Sequence, residues 1–398
     1  MLFIILICLI AIAFYIKFRY SRFSLYKFAK TFPTDGDLPI LGHTHWFIGG
    51  PEKIYNNLRT LVKAAEVRGR VSSIWIGPTL YVVSFNPEDV QKILETCLEK
   101  DNSYKYLQAW LGNGLFVAPI DLWKVHRRLM LPIFNNRIIE DYIEVFGKQG
   151  KVLVERLQEQ VGKPSFDIYQ YISSCMMDIV FETSMGKKMD VQHHPDTPYL
   201  RARKTVMSII NMRLFKAWLQ PDVIQDKIAH FDEENCKKGR KDILQLLLER
   251  KLAFSNVELR EHIDSITLAG NDTTALVISY ALLLLGMHQD AQEEVYKELK
   301  NIFGDSQRMP TKEDISRMDY LDRVIRETMR LYTVVPLIGR KTRTELKLCR
   351  HFGMLAMKSV LANVLRSYKV SSEAFDRLKI EILLFPVHGH QITLEKRM

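Results

Sequence analysis

The sequence predicts a mainly helical domain with small β-sheets near both ends, preceded by an apolar N-terminal helix. Long stretches such as Asp141–Leu157 and Ala291–Phe303 place Leu, Ile and Val on one helical face, with Glu and Lys on the other. Short strand-like runs occur close to the two ends of the chain. Met1–Ile16 carries no charged residue. Together these observations predict a helical fold attached to an apolar N-terminal segment.

Size and charge limit the classes of function. The chain has 398 residues, of which 47% are hydrophobic, enough to build one large core or two ordinary ones. Its formal net charge of +10 is compatible with nucleic acid, an anionic membrane or an acidic protein partner. Basic residues are interspersed with acidic ones, without zinc-finger spacing or a basic-aromatic stripe, so no nucleic-acid partner is expected.

Cysteine usage indicates a reducing compartment. The five cysteines are odd in number, far apart in the sequence and never arranged as Cys-x-x-Cys. This pattern argues against a disulfide scaffold and against a structural zinc site. No metal-ligand set is therefore predicted from the cysteines.

The N-terminus has the pattern of a membrane anchor. The uncharged residues 1–16 would span ~24 Å as a helix, and Phe18 and Tyr20 can extend it toward the thickness of a bilayer. Basic residues follow at once, which places the rest of the chain in the cytosol. The alternative is a signal peptide cleaved near Ala11-Ile12-Ala13, but its basic residues would precede the apolar run. We expect an anchor at 1–20, a basic and proline-rich linker at 21–43 and a folded domain at 44–398.

Two strand pairs are predicted. Val71–Ile76 and Leu80–Ser84 are short apolar runs around Gly77-Pro78, typical of a hairpin. Ile380–Phe385 and His390–Leu394 form a second candidate pair, with a glycine in the intervening turn.

The helix at 263–287 is long and apolar enough to be a second membrane span. A carboxylate at Asp272 makes that costly, so a buried core helix is favoured, in which Asp272 must be paired, hydrated or functional. Thr273 follows Ala269 by four residues, so its hydroxyl can bond back to that carbonyl. With Gly270 between them, a local opening of the helix is expected, where an adjacent acid and alcohol would relay protons. The alternative is a helix cap of ordinary composition.

Two further motifs, one before and one after this helix in the sequence, help to interpret it. Trp123 and Arg127 are four residues apart, hence on one helical face, although an ordinary basic surface helix would show the same spacing. Glu327 and Arg330 are likewise neighbours on one face. With Ala269-Gly270-Asn271-Asp272-Thr273-Thr274, they resemble the Trp-x-x-x-Arg, Glu-x-x-Arg and oxygen-binding motifs of the cytochrome P450 superfamily. The resemblance extends over most of the chain and is greatest to the insect-type, microsomal family 4 group.

The resemblance implies a cytochrome P450 fold and a haem-thiolate monooxygenase. Such an enzyme inserts one oxygen atom from O2 into a small apolar substrate, with electrons from NADPH through NADPH–cytochrome P450 reductase, on the cytosolic face of the endoplasmic reticulum membrane. Ala269 stands where many family 4 members carry a glutamate that esterifies the haem, so no such link is expected. The implied roles are proton delivery by Asp272 and Thr273, haem contact at Ala269 and Gly270, propionate binding by Trp123, Arg127 and Arg340, and a buried ion pair under the haem between Glu327 and Arg330.

The chain departs from the family at the haem ligand. The family's cysteine lies within Phe-x-x-Gly-x-Arg-x-Cys-x-Gly, and no cysteine here has that setting. Cys349 follows Arg330 by only 19 positions, and His351-Phe352-Gly353 resembles the residues after the family's cysteine. An internal deletion near 349–352 is the simplest explanation.

Such a deletion would remove the thiolate and the loop over the proximal face. It would also remove a further arginine that pairs with Glu327, and an unpaired carboxylate in a core would either cost several kcal/mol or force a rearrangement. We therefore expect no ordinary thiolate-bound haem. His351 is conceivable as a substitute ligand, although an exposed junction residue is the simpler interpretation. The alternative function is a catalytically inactive, membrane-anchored helical remnant.

Overall fold

The computed structural model describes residues 2–30, 32, 36–38, 41–67, 71–84, 87–134, 140–215, 254–341, 361–374 and 377–396. Cys349 and His351, with the predicted junction at 349–352, lie outside these residues. The chain forms two compact units, Met1–Thr96 and Cys97–Met398. The candidate site residues all belong to the second unit.

The first unit contains an apolar helix and a hairpin. Helix α1 spans 20 residues, a length of ~30 Å, and most of its large apolar side chains are exposed. Strands β1 and β2 pair antiparallel with Ile76 opposite Thr79, and Gly77 has a φ of 54°, so the predicted hairpin and its glycine turn are confirmed. The elements are α1 (Leu2–Ser21), α2 (Phe23–Ala29), α3 (Pro51–Val67), β1 (Val71–Ile76), β2 (Thr79–Ser84) and α4 (Pro87–Thr96).

The second unit is mainly helical, with short antiparallel strands, as predicted. Residues 361–367 are also helical. Its helices are α5 (Lys105–Leu111), α6 (Ile120–Met130), α7 (Ile143–Leu157), α8 (Tyr169–Met185), α9 (Pro198–Phe215), α10 (Asn256–Met287), α11 (Gln289–Phe303), α12 (Lys312–Ser316) and α13 (Asp319–Leu331). Its strands are β3 (Glu99–Lys100), β4 (Phe166–Asp167), β5 (Arg340–Lys341), β6 (Tyr368–Ser371), β7 (Leu378–Ile380), β8 (Leu384–Pro386) and β9 (Gln391–Lys396).

Helix α10 is the centre of this unit's core. It begins at a capping box between Ser255 and Glu258, in which each side chain bonds the other residue's backbone N–H. Its C-terminal half, from Ala275 to Leu285, is almost entirely buried, and the helix packs against α8, α11, α13 and β6. By length and composition, Phe3–Ser21 and Asn256–Met287 could each cross a membrane. The apolar window of Asn256–Met287 is 78% buried within the protein, which confirms a core helix over a second span.

The C-terminal strands pair differently from the prediction. Strand β8 returns on β7, with Ile380 opposite Leu384, whereas β9 lies between β6 and β4. The predicted pairing of 380–385 with 390–394 is therefore wrong. The backbone N–H of His390 donates to the Asp167 carboxylate at 3.0 Å, which directs β9 to β4 instead of back along β8.

The loop after α5 lies directly on α10. A Cβ atom on Gly114 would come within 2.3 Å of both the Glu261 carbonyl oxygen and the Ser265 hydroxyl. Only glycine permits so close an approach between loop and helix. This contact positions the loop between α5 and α6 beside the N-terminal half of α10.

Candidate functional site

One stripe of α10 is left partly open in an otherwise buried helix. Ala269 is exposed and Gly270 and Thr273 are partly accessible, whereas Asn271 is fully buried. The Thr273 hydroxyl donates to the Ala269 carbonyl oxygen at 2.6 Å, so the predicted back-bond is confirmed. The helix nevertheless stays α-helical through this turn, and the expected local opening is not observed.

Asp272 belongs to a buried polar network on another side of the same helix. Its Oδ2 lies 2.5 Å from Nη2 of Arg203 on α9, and the two side chains are 9% and 10% exposed. Asn271 Nδ2 donates to Oδ1 at 2.9 Å, and the Tyr169 hydroxyl donates to it at 3.5 Å. Burial, and then the nearby Asp272 carboxylate, raise the pKa of Tyr169, which therefore remains a donor. Of the three alternatives for Asp272, which were pairing, hydration and function, the structure shows pairing.

A cavity of about 690 Å³ adjoins this network. It is walled by α8, α9, α10 and the turn between β7 and β8, and Asp272 and Arg203 both line it. Tyr169 and Phe385 contribute aromatic walls, and Ser173 and Asn211 contribute polar ones. Thr273 is not part of the lining, so the acid and the alcohol of the predicted relay face different spaces.

Trp123 and Arg127 meet on one face of α6, as their spacing predicts. The Arg127 guanidinium carbon lies 5.2 Å from the centre of the Trp123 ring, a cation–π contact between two half-buried side chains. The geometry presents a cation and an indole N–H from the same short helix. Both groups suit a carboxylate.

A histidine pair that sequence reasoning missed joins α6 to α10. The rings of His126 and His262 are perpendicular, 4.6 Å apart, and both residues are buried. The Leu115 N–H donates to His262 Nδ1 at 3.2 Å. Burial, followed by the neighbouring His126, lowers the pKa of His262 to about 4, and burial lowers that of His126. Both rings are therefore neutral near pH 7, and they hold α6 in place.

The Glu327–Arg330 pair exists but is not buried. The guanidinium donates to both carboxylate oxygens at 2.6 and 2.7 Å, and the side chains are 54% and 67% exposed. The bond to Arg330 lowers the pKa of the Glu327 carboxyl. Among the described residues the pair is therefore exposed, and Glu327 has Arg330 as its partner. Because Arg330 is three residues after Glu327 on the same helical face, it neutralises the Glu327 carboxylate. The pair stays in contact with solvent, so neither charge has a desolvation cost.

Arg340 lies on the two-stranded ladder of β3 and β5. It is half-buried and stands directly opposite Lys100. Its guanidinium donates to the Gly339 carbonyl at 2.9 Å. Two cations, Arg340 and Lys100, are therefore neighbours on this ladder.

Of the cysteines within the described residues, Cys97 and Cys175 are buried and unbridged. The Cys175 thiol donates to the Gln149 carbonyl in the core, and burial raises its pKa well above the usual range. A protonated core thiol is a poor metal ligand. Cys175 is therefore a packing residue.

The residues that complete the network around Asp272 have no local signal in the sequence. Arg203 is 69 positions from Asp272 and Tyr169 is 103 positions away. Only the packing of α8 and α9 on α10 brings them together.

The comparison with protein families agrees with this arrangement. The family model described as Cytochrome P450 matches residues 33–349, which include every candidate site residue. The chain belongs to the cytochrome P450 family. Family membership implies a haem cofactor and a monooxygenase type of reaction, and family members generally use a reductase as redox partner and apolar substrates. The match ends at Cys349, the first residue of the predicted junction.

The relatives identify a family 4-like cytochrome P450. Cytochrome P450 4c3 of Drosophila melanogaster is 30% identical over 375 residues, covering 82% of this chain and 70% of the relative. Human cytochrome P450 4V2 is 30% identical over 334 residues, covering 73% and 63% respectively. Drosophila melanogaster cytochrome P450 4g15 is 29% identical, covering 84% and 75%. The chain thus spans between 63% and 75% of the length of these three relatives.

The described residues fit the oxygen-facing and carboxylate-facing sides of a haem. The small exposed Ala269 leaves room beside α10, and Arg127 and Arg340 supply half-buried cations. Residues 342–360, which follow β5, lie outside the described residues. The fit therefore concerns the distal face and the propionates.

Proposed function

We propose that this chain is a membrane-anchored, haem-dependent monooxygenase of the cytochrome P450 type whose activity is impaired by loss of the thiolate loop. The supporting observation is the partly open stripe of α10 at Ala269 and Thr273, set between a buried acid network and a core. When bound, haem supplies the O2-dependent oxidation of an apolar substrate with electrons from NADPH.

The chain's own residues would then bind the cofactor and move protons. Trp123, Arg127 and Arg340 hold the two propionates by charge-assisted hydrogen bonds. Ala269 and Gly270 leave the distal space free of side chains. Thr273 keeps its hydroxyl oxygen available as an acceptor, because its proton is donated to the Ala269 carbonyl.

Asp272 is the proposed source of protons, and Arg203 controls its availability. While Arg203 is paired with it, the carboxylate is held toward the cavity beside α9. Water entering that cavity can replace the guanidinium and form a path along which a proton from bulk solvent reaches the carboxylate. Rotation toward Thr273 then delivers the proton to the distal side.

The proposed location is the cytosolic face of the endoplasmic reticulum membrane. Helix α1 is long enough to span a bilayer, and Lys17, Arg19 and Arg22 follow its apolar part. The domain organisation proposed with it is an anchor at 1–20, a linker at 21–43 and a P450 domain at 44–398. An NADPH–cytochrome P450 reductase is the proposed electron donor.

The carbon-monoxide difference spectrum of the reduced protein tests this function. We expect the purified chain to lack the red-shifted band of a haem-thiolate, because no described cysteine is a suitable ligand. A matched variant carrying the family's glycine-flanked cysteine loop between residues 349 and 352 should gain that band. A red-shifted band in the unchanged chain would contradict the proposed impairment. Absence of haem from the loop-restored variant would contradict the proposed distal site.

A catalytically inactive, membrane-anchored remnant is the second candidate function. It is favoured by the exposure of Glu327 and Arg330, which the family resemblance places beneath the haem. A remnant of this kind would purify without haem, and added haemin would not raise its melting temperature. Stoichiometric haem in the purified chain would exclude it.

A further inference from the structure

The end of α1 and the helix α2 after it form a strongly cationic stretch of the chain. Five basic residues lie within residues 17–30, and the first acidic residue of the sequence is Asp35. Within the described residues, no ion pair joins these cations to a carboxylate. Their charge is therefore available to an anionic partner from outside. The five are Lys17, Arg19, Arg22, Lys27 and Lys30.

One face of α2 is fixed to the β1–β2 hairpin. The Arg22 guanidinium, at the start of the helix, donates to the Pro78 carbonyl oxygen at the tip of the hairpin. The Tyr26 ring stacks on the Trp75 ring with 4.6 Å between the ring centres, and Ala29 is buried. These three residues of the α2 segment are spaced at i, i+4 and i+7, so they share a face. Helix α2 is thus a rigid part of the first unit.

An exposed face of α2 has the composition of a helix that lies on a membrane surface. Phe23, Lys27 and Lys30 recur at the same spacing, and all three are exposed, Phe23 by 68%. An aromatic ring between two ammonium groups can enter the headgroup region while the cations contact lipid phosphates. Because α2 begins two residues after α1 ends at Ser21, a membrane-spanning α1 places this face at the bilayer surface.

Ser24 is an exposed hydroxyl in the middle of these cations. It is two residues from both Arg22 and Tyr26, so it lies on the side of α2 away from the hairpin, and Lys27 follows it by one helical turn. Ser21, by contrast, is the last residue of α1, and its hydroxyl donates to a carbonyl within that helix at 3.0 Å. A phosphate on Ser24 would add about two negative charges beside Lys27.

We propose that phosphorylation of Ser24 controls the binding of α2 to anionic phospholipids. While Ser24 is unmodified, Lys27 and Lys30 bind lipid phosphates and Phe23 enters the headgroup region. A protein kinase transfers the γ-phosphoryl group of ATP to the Ser24 oxygen, the hydroxyl proton is released and ADP leaves. The phosphoserine then pairs with Lys27 and repels the lipid headgroups.

Release of α2 would change the contact of the first unit with the bilayer and leave the chain attached through α1. The proposal therefore rests on the membrane anchor of the proposed function and adds a regulated contact to it. The face that carries Arg22 and Tyr26 stays on the hairpin in both states, because Ser24 lies on the other side of the helix.

Amine labelling in lipid nanodiscs tests the lipid contact. The full-length chain is placed in discs of phosphatidylcholine, or of an equimolar mixture with phosphatidylserine, and acetylation rates are measured by mass spectrometry. We expect phosphatidylserine to slow labelling of Lys27 and Lys30 about fivefold, and high salt to remove the difference. Lys187, which is exposed in the second unit, is the internal control.

The lipid contact and the anchor fail in different ways. Equal labelling of Lys27 and Lys30 in both kinds of disc would overturn the lipid contact and leave the anchor standing. A chain that does not enter either disc would overturn the proposal and the anchor together.

A chain with phosphoserine encoded at position 24 tests the control of this contact. In the mixed discs, labelling of Lys27 and Lys30 should return to the rate in phosphatidylcholine, whereas Ser24→Ala should keep the slow rate. Phosphoserine encoded at the exposed Ser306 of the second unit is the matched control and should leave the slow rate unchanged. Continued protection of both lysines beside phosphoserine at position 24 would contradict the proposal.

The modification itself is tested in phosphatidylcholine discs, where α2 is free of anionic lipid. A kinase that selects serines preceded by arginine, supplied with ATP, should phosphorylate the peptide that contains Ser24. The variant Ser24→Ala should not gain phosphate on that peptide. A parent chain without phosphate on Ser24, or equal phosphate on the variant, would show that Ser24 is not the modified residue.

Discussion

The acid network on α10 and the ion pair on α13 each contain an ion pair between an arginine and a carboxylate, but the first pair is buried and the second is exposed to solvent. Asp272 and Arg203 are joined across two helices and are about one-tenth exposed. Glu327 and Arg330 are joined within a single helical turn and are more than half exposed. Asp272 belongs to one family motif, and Glu327 and Arg330 belong to another, yet only the first pair is enclosed by the core. A short distance between two charges therefore shows only that they form an ion pair. Whether the stability of the fold depends on that pair is decided by its burial.

Removing the buried cation should give the largest effect. Arg203→Met leaves Asp272 in the core without its counter-charge, and we expect the free energy of unfolding to fall by about 3–5 kcal/mol. Urea unfolding in detergent micelles, followed by tryptophan fluorescence, measures the loss. The double variant Arg203→Met/Asp272→Leu should recover much of it, because no unpaired charge remains. A double variant as unstable as the single one would show that the charge is not the cause.

Acidification should lower the free energy of unfolding, because it protonates the buried His262. Its pKa is lowered to about 4 in the folded protein, so the unfolded chain binds a proton more readily between about pH 6.5 and 4. The contribution of a neutral His262 is complete above about pH 6.5 and is lost as the pH falls toward 4. The loss is about 1.4 kcal/mol per pH unit.

The variant His262→Asn removes the pH-dependent contribution of His262 to stability and keeps the hydrogen bond, since its amide oxygen can still accept the Leu115 N–H. We expect the variant to lose less stability than the parent between pH 7 and pH 5. Asp264, whose pKa burial raises to about 6, acts in the opposite direction in both proteins and cancels in the difference. His193→Asn, at an exposed histidine, is the control. Equal pH slopes for the parent and His262→Asn would contradict the assignment.

The exposed pair should give the smallest effect. Arg330→Met removes a charge from the surface of α13, where solvent screens the ion pair and its contribution to stability is small. The same urea experiment should therefore show little change relative to Arg203→Met. A loss as large as that of Arg203→Met would mean that α13 is covered in solution and that the two regions are alike.

The sequence alone determined the features that depend on local spacing. The helix around Ala269–Thr274, the Thr273 back-bond and the meeting of Trp123 with Arg127 follow from residues four apart on a helix. The β1–β2 hairpin follows from a glycine between two apolar runs. The family also follows, because its motifs are short and occur in a fixed order.

Only the tertiary structure decided which distant groups meet and which are covered. Arg203 reaches Asp272 because α9 packs against α10, and Lys100 faces Arg340 because β3 pairs with β5 across 240 positions. Strand β9 left its sequence neighbour for β6 and β4, since Asp167 binds the His390 N–H. The exposure of Glu327 was equally unpredictable, because burial depends on what packs over a helix and not on the residues within it. Local patterns fix dihedral angles and faces, whereas contacts between distant segments depend on the packing of the whole chain.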